Sequence, residues 1–214
     1  MARKPADQSV HRDDIILAAA DVLHEHGYDA TTMKDIAARV NLTAASLYHH
    51  FKSKDHLLLA VLEKGLSLAI AQIEPVACSE QGNADKLRQM IAIHIRAMTS
   101  NPAVGAAMVF EIRSLMQNGT RKRAGDFYER RERFFTRRDY FEVLFKHIVQ
   151  QGVDAGEFRA VDAGIFTKAM LGAHNWVGVW YRPAGRLDGD DIADIMADTF
   201  LTSLQPTLVT DAIT

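Results

Sequence analysis

The sequence is short of several things that define common protein classes. A single cysteine, Cys78, serves 214 residues; no intrachain disulfide can form and no cysteine cluster can hold zinc. An excess of one charge is also lacking. Twenty-five Lys and Arg stand against 27 Asp and Glu, a net charge of −2, so any affinity for nucleic acid must come from a local patch and not from the overall field. Apolar runs are interrupted by charges before the roughly 18–20 residues that a membrane span requires. Met1–Val10 is polar, unlike a signal peptide. The expectation is a cytoplasmic protein with no membrane partner.

Catalytic signatures are missing as well. There is no GxGxxG or GxxxxGK[ST] phosphate loop, no GxSxG nucleophile elbow and no HExxH zinc motif. His24-Glu25-His26 places its two histidines too close for the HExxH geometry, and His49 and His50 would leave a helix on different sides. No catalytic residue, no metal ligand and no cofactor is therefore assigned. A helical enzyme, or an adaptor without DNA affinity, remains the competing class.

What is present is helical periodicity nearly throughout, with no alternating strand pattern. The fold expected is all-α: an N-terminal three-helix unit, residues 1–56, and a C-terminal helical ligand-binding and dimerisation domain, residues 57–214, joined by a helix from about 54 to 72. A first helix is expected over about Asp13–Glu25, ended by Gly27. Thr32-Met33-Lys34-Asp35 has the form of a capping box opening a second helix. Thr43 caps a third helix ending near Phe51, and Ser53 caps a fourth running towards Ile70. Pro75, Gly82 and Asn83 mark a loop over Glu74–Asp85. Further helices are expected at about 84–98, 103–116, 125–151, 162–181 and 189–204.

Two short capped helices joined by a tight turn and braced by a third form a helix-turn-helix. Between them, Asn41 is one of the few non-glycine types that tolerates the left-handed conformation of such a turn. Ile36, Val40, Leu42, Leu47 and Phe51 fall on the inner faces as core. Thr43, Ala44, Ala45, Ser46, Tyr48 and His49 remain outward on the third helix, small, hydroxyl-bearing and aromatic groups suited to base edges and phosphates. Lys54 is placed as an electrostatic clamp on the DNA backbone. The same spacing would also suit an ordinary helical hairpin.

A resemblance narrows this. Gly27-Tyr28-Asp29-Ala30-Thr31-Thr32-Met33-Lys34-Asp35-Ile36-Ala37, followed by Ser46-Leu47-Tyr48-His49-His50-Phe51-Lys52-Ser53-Lys54-Asp55-His56-Leu57, resembles the N-terminal signature of the TetR family of repressors. Asn41 departs from the glycine usual there. The resemblance implies base and phosphate contacts from the third helix, phosphate contacts from Thr32 and Lys54, and a homodimer bound to a palindromic double-stranded operator. Gly125–Gln151 and Gly189–Leu204 are possible interface helices; on the latter Ile192, Ile195, Met196, Phe200 and Leu204 share one side.

In the C-terminal half, Ile165, Ala169, Gly172, Trp176 and Trp180 share a helix face that reads either as a pocket wall or as plain core. Asn175-Trp176 with Trp180-Tyr181-Arg182-Pro183-x-Gly185 is similar to a branch of the family regulating fatty-acid, phenylacetate and steroid degradation, which implies an acyl-coenzyme A effector. From Arg121 to Arg138 eight Arg or Lys accompany three acids. Such a run suits phosphates through bidentate bonds, or is a solvated helix face. The candidate ligand contacts are Trp176, Asn175, Trp180, Phe110, Arg113, Arg130 and Arg137. A drug-like or aromatic hydrophobic effector is the alternative, and the effector is expected to release the repressor from DNA.

Overall fold

The computed structural model describes residues 10–117 and 125–206, and no strand occurs among them. Ten helical segments follow in order: α1 Arg12–Ala30, α2 Met33–Arg39, α3 Ala44–His50, α4 Lys54–Ala77, α5 Asn83–Ser100, α6 Pro102–Phe110, α7 Ile112–Gln117, α8 Asp126–Asp154, α9 Ala163–Trp180 and α10 Gly189–Leu204. The all-α expectation holds.

Local chemistry sets the N-terminal boundaries. Gly27 at φ 74° interrupts α1 where a side chain would be strained. The Thr32 N–H donates to Asp35 Oδ2 at 3.0 Å and the Asp35 N–H donates to Thr32 Oγ1 at 3.3 Å, a reciprocal cap. Asn41 takes φ 56°, the positive-φ non-glycine residue of the described chain, and the Leu42 N–H closes the turn on the Ala37 carbonyl at 2.8 Å. Thr43 and Ser53 accept the backbone N–H groups of Ser46 and His56.

Two C-terminal expectations shift. α4 continues to Ala77, through Pro75. Proline lacks the N–H and crowds the preceding turn, and the helix stops soon after it. The stretch expected as one helix over 103–116 is two segments meeting at Glu111.

α4 is the axis of the molecule, packing against α1, α5, α6 and α8. By length and composition alone it could cross a membrane. Here it is a core helix, with Leu57, Leu58, Leu59 and Leu62 at most 1 % exposed; each such side chain contributes about 1.5–3 kcal/mol on burial. α5 lies between α4 and α10, while α6 and α9 close the bundle beside α1.

Candidate DNA-reading helix and effector cavity

The reading head is built around α3. Leu47 is its buried anchor, with Ile36, Ala37 and Phe51 beneath it, while Val40 and Leu42 are partly buried against that core. With Leu47 inward, Thr43, Ala45, Tyr48 and His49 are exposed, while Ala44 and Ser46 are partly buried. Thr43 Oγ1 and Ser46 Oγ lie 2.9 Å apart. An α-helix about 10–12 Å across with its side chains fits a major groove about 12 Å wide. Thr32 is exposed at the neighbouring helix N-terminus, where free N–H groups favour anions.

Lys54 is placed differently from the expected phosphate clamp. Its Nζ donates to the Tyr28 carbonyl and, at 2.7 Å, to that of Thr31, and it lies 4.2 Å from the centre of the Tyr28 ring. The reason is local: the chain leaving the Gly27 kink presents unpaired carbonyls at the start of α4, and an ammonium satisfies them. Tyr28 in turn donates its hydroxyl to Asp55, and burial together with this bond raises its phenol above the usual value. Lys54 thus braces α1 against α4.

Between α4, α5, α6, α8 and α9 lies a cavity of about 360 Å³. Its apolar walls include Leu66, Ala69, Met98, Val104, Phe141 and Leu171, with His94 also lining it. Arg138, Glu142, Lys168, Gly172 and Asn175 line it too; of these, Arg138, Lys168 and Gly172 are exposed and so mark the opening. Lys168 and Glu142 are ion-paired.

Of the expected ligand contacts, Asn175 alone lines this cavity. Trp176 and Trp180 do not; they are 59 % and 47 % exposed. The helical phase explains the error. α9 buries Ala163, Thr167, Met170, Leu171, His174, Val177 and Gly178, and Trp176 follows His174 by two residues, about 200° around the helix. On that face Gly172 lines the cavity, Trp180 lines a smaller cleft with Tyr181, Arg186 and Ile192, and Trp176 is exposed. Phe110 is half-exposed and lines a separate cleft between α1, α6 and the end of α9, and Arg113 on α7 is exposed. Arg130 is paired with Glu63, and Arg137 donates to Ser67 Oγ at 3.0 Å, so both lie on the α8–α4 seam. Arg121, Lys122 and Arg123 fall outside the described residues.

Sequence reasoning missed His94, Glu142 and Lys168, and reached Arg138 only as the last member of the basic run. One usable signal was present: glycines inside helices cost about 1 kcal/mol each and need a reason. Gly65, Gly105 and Gly172 all line the cavity. A Cβ on Gly65 would stand 2.8 Å from Val104 and one on Gly105 2.9 Å from the Met98 carbonyl, while at Gly172 it would meet open space.

A hydrogen bond ties the end of α1 to the α6–α7 break beside the bundle. Glu111, at the α6–α7 break, accepts the Tyr28 N–H at 3.2 Å, and burial raises its carboxyl above the usual range.

Comparison with known proteins agrees with this architecture. The family model for bacterial regulatory proteins of the tetR family matches residues 15–61, and that for the tetracyclin repressor-like C-terminal domain matches residues 80–204. The HTH-type transcriptional repressor KstR2 of Mycolicibacterium smegmatis is 27% identical over 190 residues, covering 88% of this chain and 87% of that one. The TetR family regulator PfmR from Thermus thermophilus superposes with a TM-score of 0.76 at 29% identity, covering 90% of this chain and 99% of PfmR. AibR, in a crystal structure with isovaleryl coenzyme A and operator DNA, superposes with a TM-score of 0.71 at 26% identity, covering 88% and 96%. With the helix-turn-helix matched over residues 15–61 and the C-terminal bundle over 80–204, the chain belongs to the TetR family of DNA-binding transcriptional regulators, and it is not an enzyme.

Proposed function

We propose that this regulator is a homodimeric repressor that grips a palindromic operator through α3 and lets go when an acyl-coenzyme A thioester enters the central cavity. The observation that carries the effector reading is the form of that cavity, an apolar chamber of about 360 Å³ whose opening holds Arg138 and Lys168. Ligand pockets run from roughly 300 to 1,000 Å³; a chamber this small takes an acyl group and leaves a nucleotide outside. Arg138 of α8 stands at that opening, where a guanidinium group suits phosphate. The isovaleryl coenzyme A complex of AibR supports the same assignment by analogy.

The exposed stripe of α9, Ile165, Ala169, Gly172, Trp176 and Trp180, together with Ile195 of α10, is assigned to the dimer interface. Exposed apolar surface of this extent marks an interaction site, and two-fold symmetry would pair the stripe with itself. An effector that moves α9 would then change the separation of the two α3 helices, which must match one helical turn of DNA.

Calorimetric titration of the full chain with short, long, aromatic and steroid-like acyl-coenzyme A thioesters tests the effector. Micromolar or tighter binding to at least one, with loss of DNA binding, is expected. Silence across the whole panel would refute it. A complementary variant is Ala97→Phe, whose added ring fills part of the cavity from α5, away from the α9 stripe. It is expected to retain operator binding within about threefold and to lose release by the thioester, read by fluorescence anisotropy.

On the reading head, Tyr48→Ala removes a side chain that is 52 % exposed, so stability should hold within about 0.5 kcal/mol. Operator affinity should fall roughly tenfold or more, as for a lost base or phosphate contact of about 1–3 kcal/mol. Equal affinity for both proteins in a mobility-shift titration would remove Tyr48 from the interface.

A further inference from the structure

Outside the reading head, the least expected feature is a pair of histidines inside the bundle. His94 of α5 and His174 of α9 are 7 % and 0 % exposed, and their Nδ1 atoms lie 3.3 Å apart. Their surroundings are aromatic: Phe141 and Phe145 pack on His94, Phe145 and Phe200 on His174. Among the described residues no third His, Cys, Asp or Glu joins them, so the pair is not a metal cluster. His94 lines the cavity, whereas His174 Nε2 is buried without a hydrogen-bond partner among the described residues.

Proton placement follows from these facts. Burial depresses both histidines, His94 to about 4, so both are neutral and each carries one N–H. In an Nδ1 to Nδ1 hydrogen bond one ring donates and the other accepts. Were His94 the donor, His174 would carry its proton on Nε2 and bury an orphaned N–H, the rarer and costlier arrangement. With His174 donating from Nδ1, its Nε2 is a bare acceptor and His94 carries its proton on Nε2, the nitrogen left for a cavity occupant.

We infer that the His94–His174 pair fixes a hydrogen-bond donor in the cavity wall, so that the effector is an acyl thioester whose acyl group carries an acceptor, an oxo oxygen, to meet His94 Nε2–H. His94 is the specificity-determining contact and His174 a positioning residue that fixes its tautomer. The inference rests on the thioester reading of this cavity. A saturated acyl group of equal length would strand the His94 N–H in an apolar chamber. The expected discrimination is about tenfold to a hundredfold, the range of one unsatisfied buried donor.

Two experiments on the full chain test this. Two-bond 1H–15N spectra of the histidine rings, in the ligand-free protein, are expected to show His94 protonated on Nε2 and His174 on Nδ1; the opposite tautomers overturn the inference whatever thioesters do. In His174→Phe the His94 ring is expected to lose this single tautomer and show a mixture; a His94 signal unchanged from wild type also counts against it. Titration then compares an oxo-acyl-coenzyme A with its saturated counterpart. Wild type is expected to prefer the oxo form, His94→Gln to keep part of the preference because the amide still donates, and His94→Leu to bind both equally. A ratio unchanged in folded His94→Leu refutes the donor role while leaving the thioester reading intact. Failure of every thioester to bind wild type refutes the thioester reading; a methyl ketone against an alkene of equal length then decides the donor, a preference supporting it and equal binding overturning it.

Discussion

Replacing Ile165 and Trp176 with glutamate is expected to convert the proposed dimer to a monomer and to weaken operator binding about a hundredfold or more. Both side chains are large and more than half exposed, at 67 % and 59 %, and between them on the same face stand Ala169 and Gly172, small enough to admit the rings of a symmetry partner. Because neither side chain is buried within the chain, the fold should be retained, with stability changed by less than about 1 kcal/mol at the level of the monomer. The effect on DNA is larger because each half-site contact is modest. A chain of net charge −2 draws little on general electrostatic attraction, and linking two modules typically multiplies affinity by about 10² to 10⁴. Sedimentation velocity reads the oligomer and anisotropy reads the operator. A double variant that stays dimeric would move the interface off α9.

The second large effect is acid sensitivity. His94 is held neutral with its titration depressed to about 4 by burial, and burial likewise depresses His174. In the unfolded chain a histidine titrates near 6.5. Between pH 6.5 and 4 the unfolded state therefore binds a proton that the native state does not, and stability falls as pH is lowered through this window. Above about pH 6.5 His94 contributes no pH dependence, and below about 4 its loss is complete. For His94 the full loss is about 3 kcal/mol, set by the distance between the ordinary histidine value and about 4. Urea unfolding from about pH 7.5 to 4 is expected to show this fall in the wild type and a shallower one in His94→Leu. Parallel curves would mean that the native state accepts the proton at little cost.

The N-terminal half was legible because single residues encode its geometry. Thr32, Thr43 and Ser53 each satisfy helix N–H groups through their own side chains, Gly27 and Asn41 take the positive φ that the kink and turn require, and all lie within a few residues of what they organise. Lys54 shows the limit even there. Its partners, the carbonyls of Tyr28 and Thr31, are 26 and 23 positions away in the chain, and no local pattern announces them.

The cavity was much less legible, since five helices supply it. Periodicity correctly grouped Ile165, Trp176 and Trp180 on one face, but it assigns no direction to that face, and bulky aromatics above small residues read equally well as a wall, a core or an interface. The buried face of α9 was the weaker-looking one, carrying Thr167 and His174 among its apolar residues. Likewise, His94 and His174 are 80 positions apart, and neither stands out among nine histidines. The basic run on α8 was real as a count, yet Arg130 is spent on Glu63 and Arg131 on the Leu115 carbonyl and Glu132, while Arg138 reaches the cavity mouth.

The central claim is that α3 reads operator DNA and that filling the cavity ends the reading. One anisotropy titration tests it most directly: the full chain against a labelled palindromic fragment from its own upstream region, at several salt concentrations, with and without a thioester that binds. The expected result is nanomolar affinity at low salt, falling linearly in a plot of log affinity against log salt as phosphate counterions are released, with roughly a thousandfold or greater preference over scrambled DNA, and release on adding the thioester. Binding no tighter than to scrambled sequence, or a complex indifferent to a thioester that demonstrably binds the protein, would contradict it.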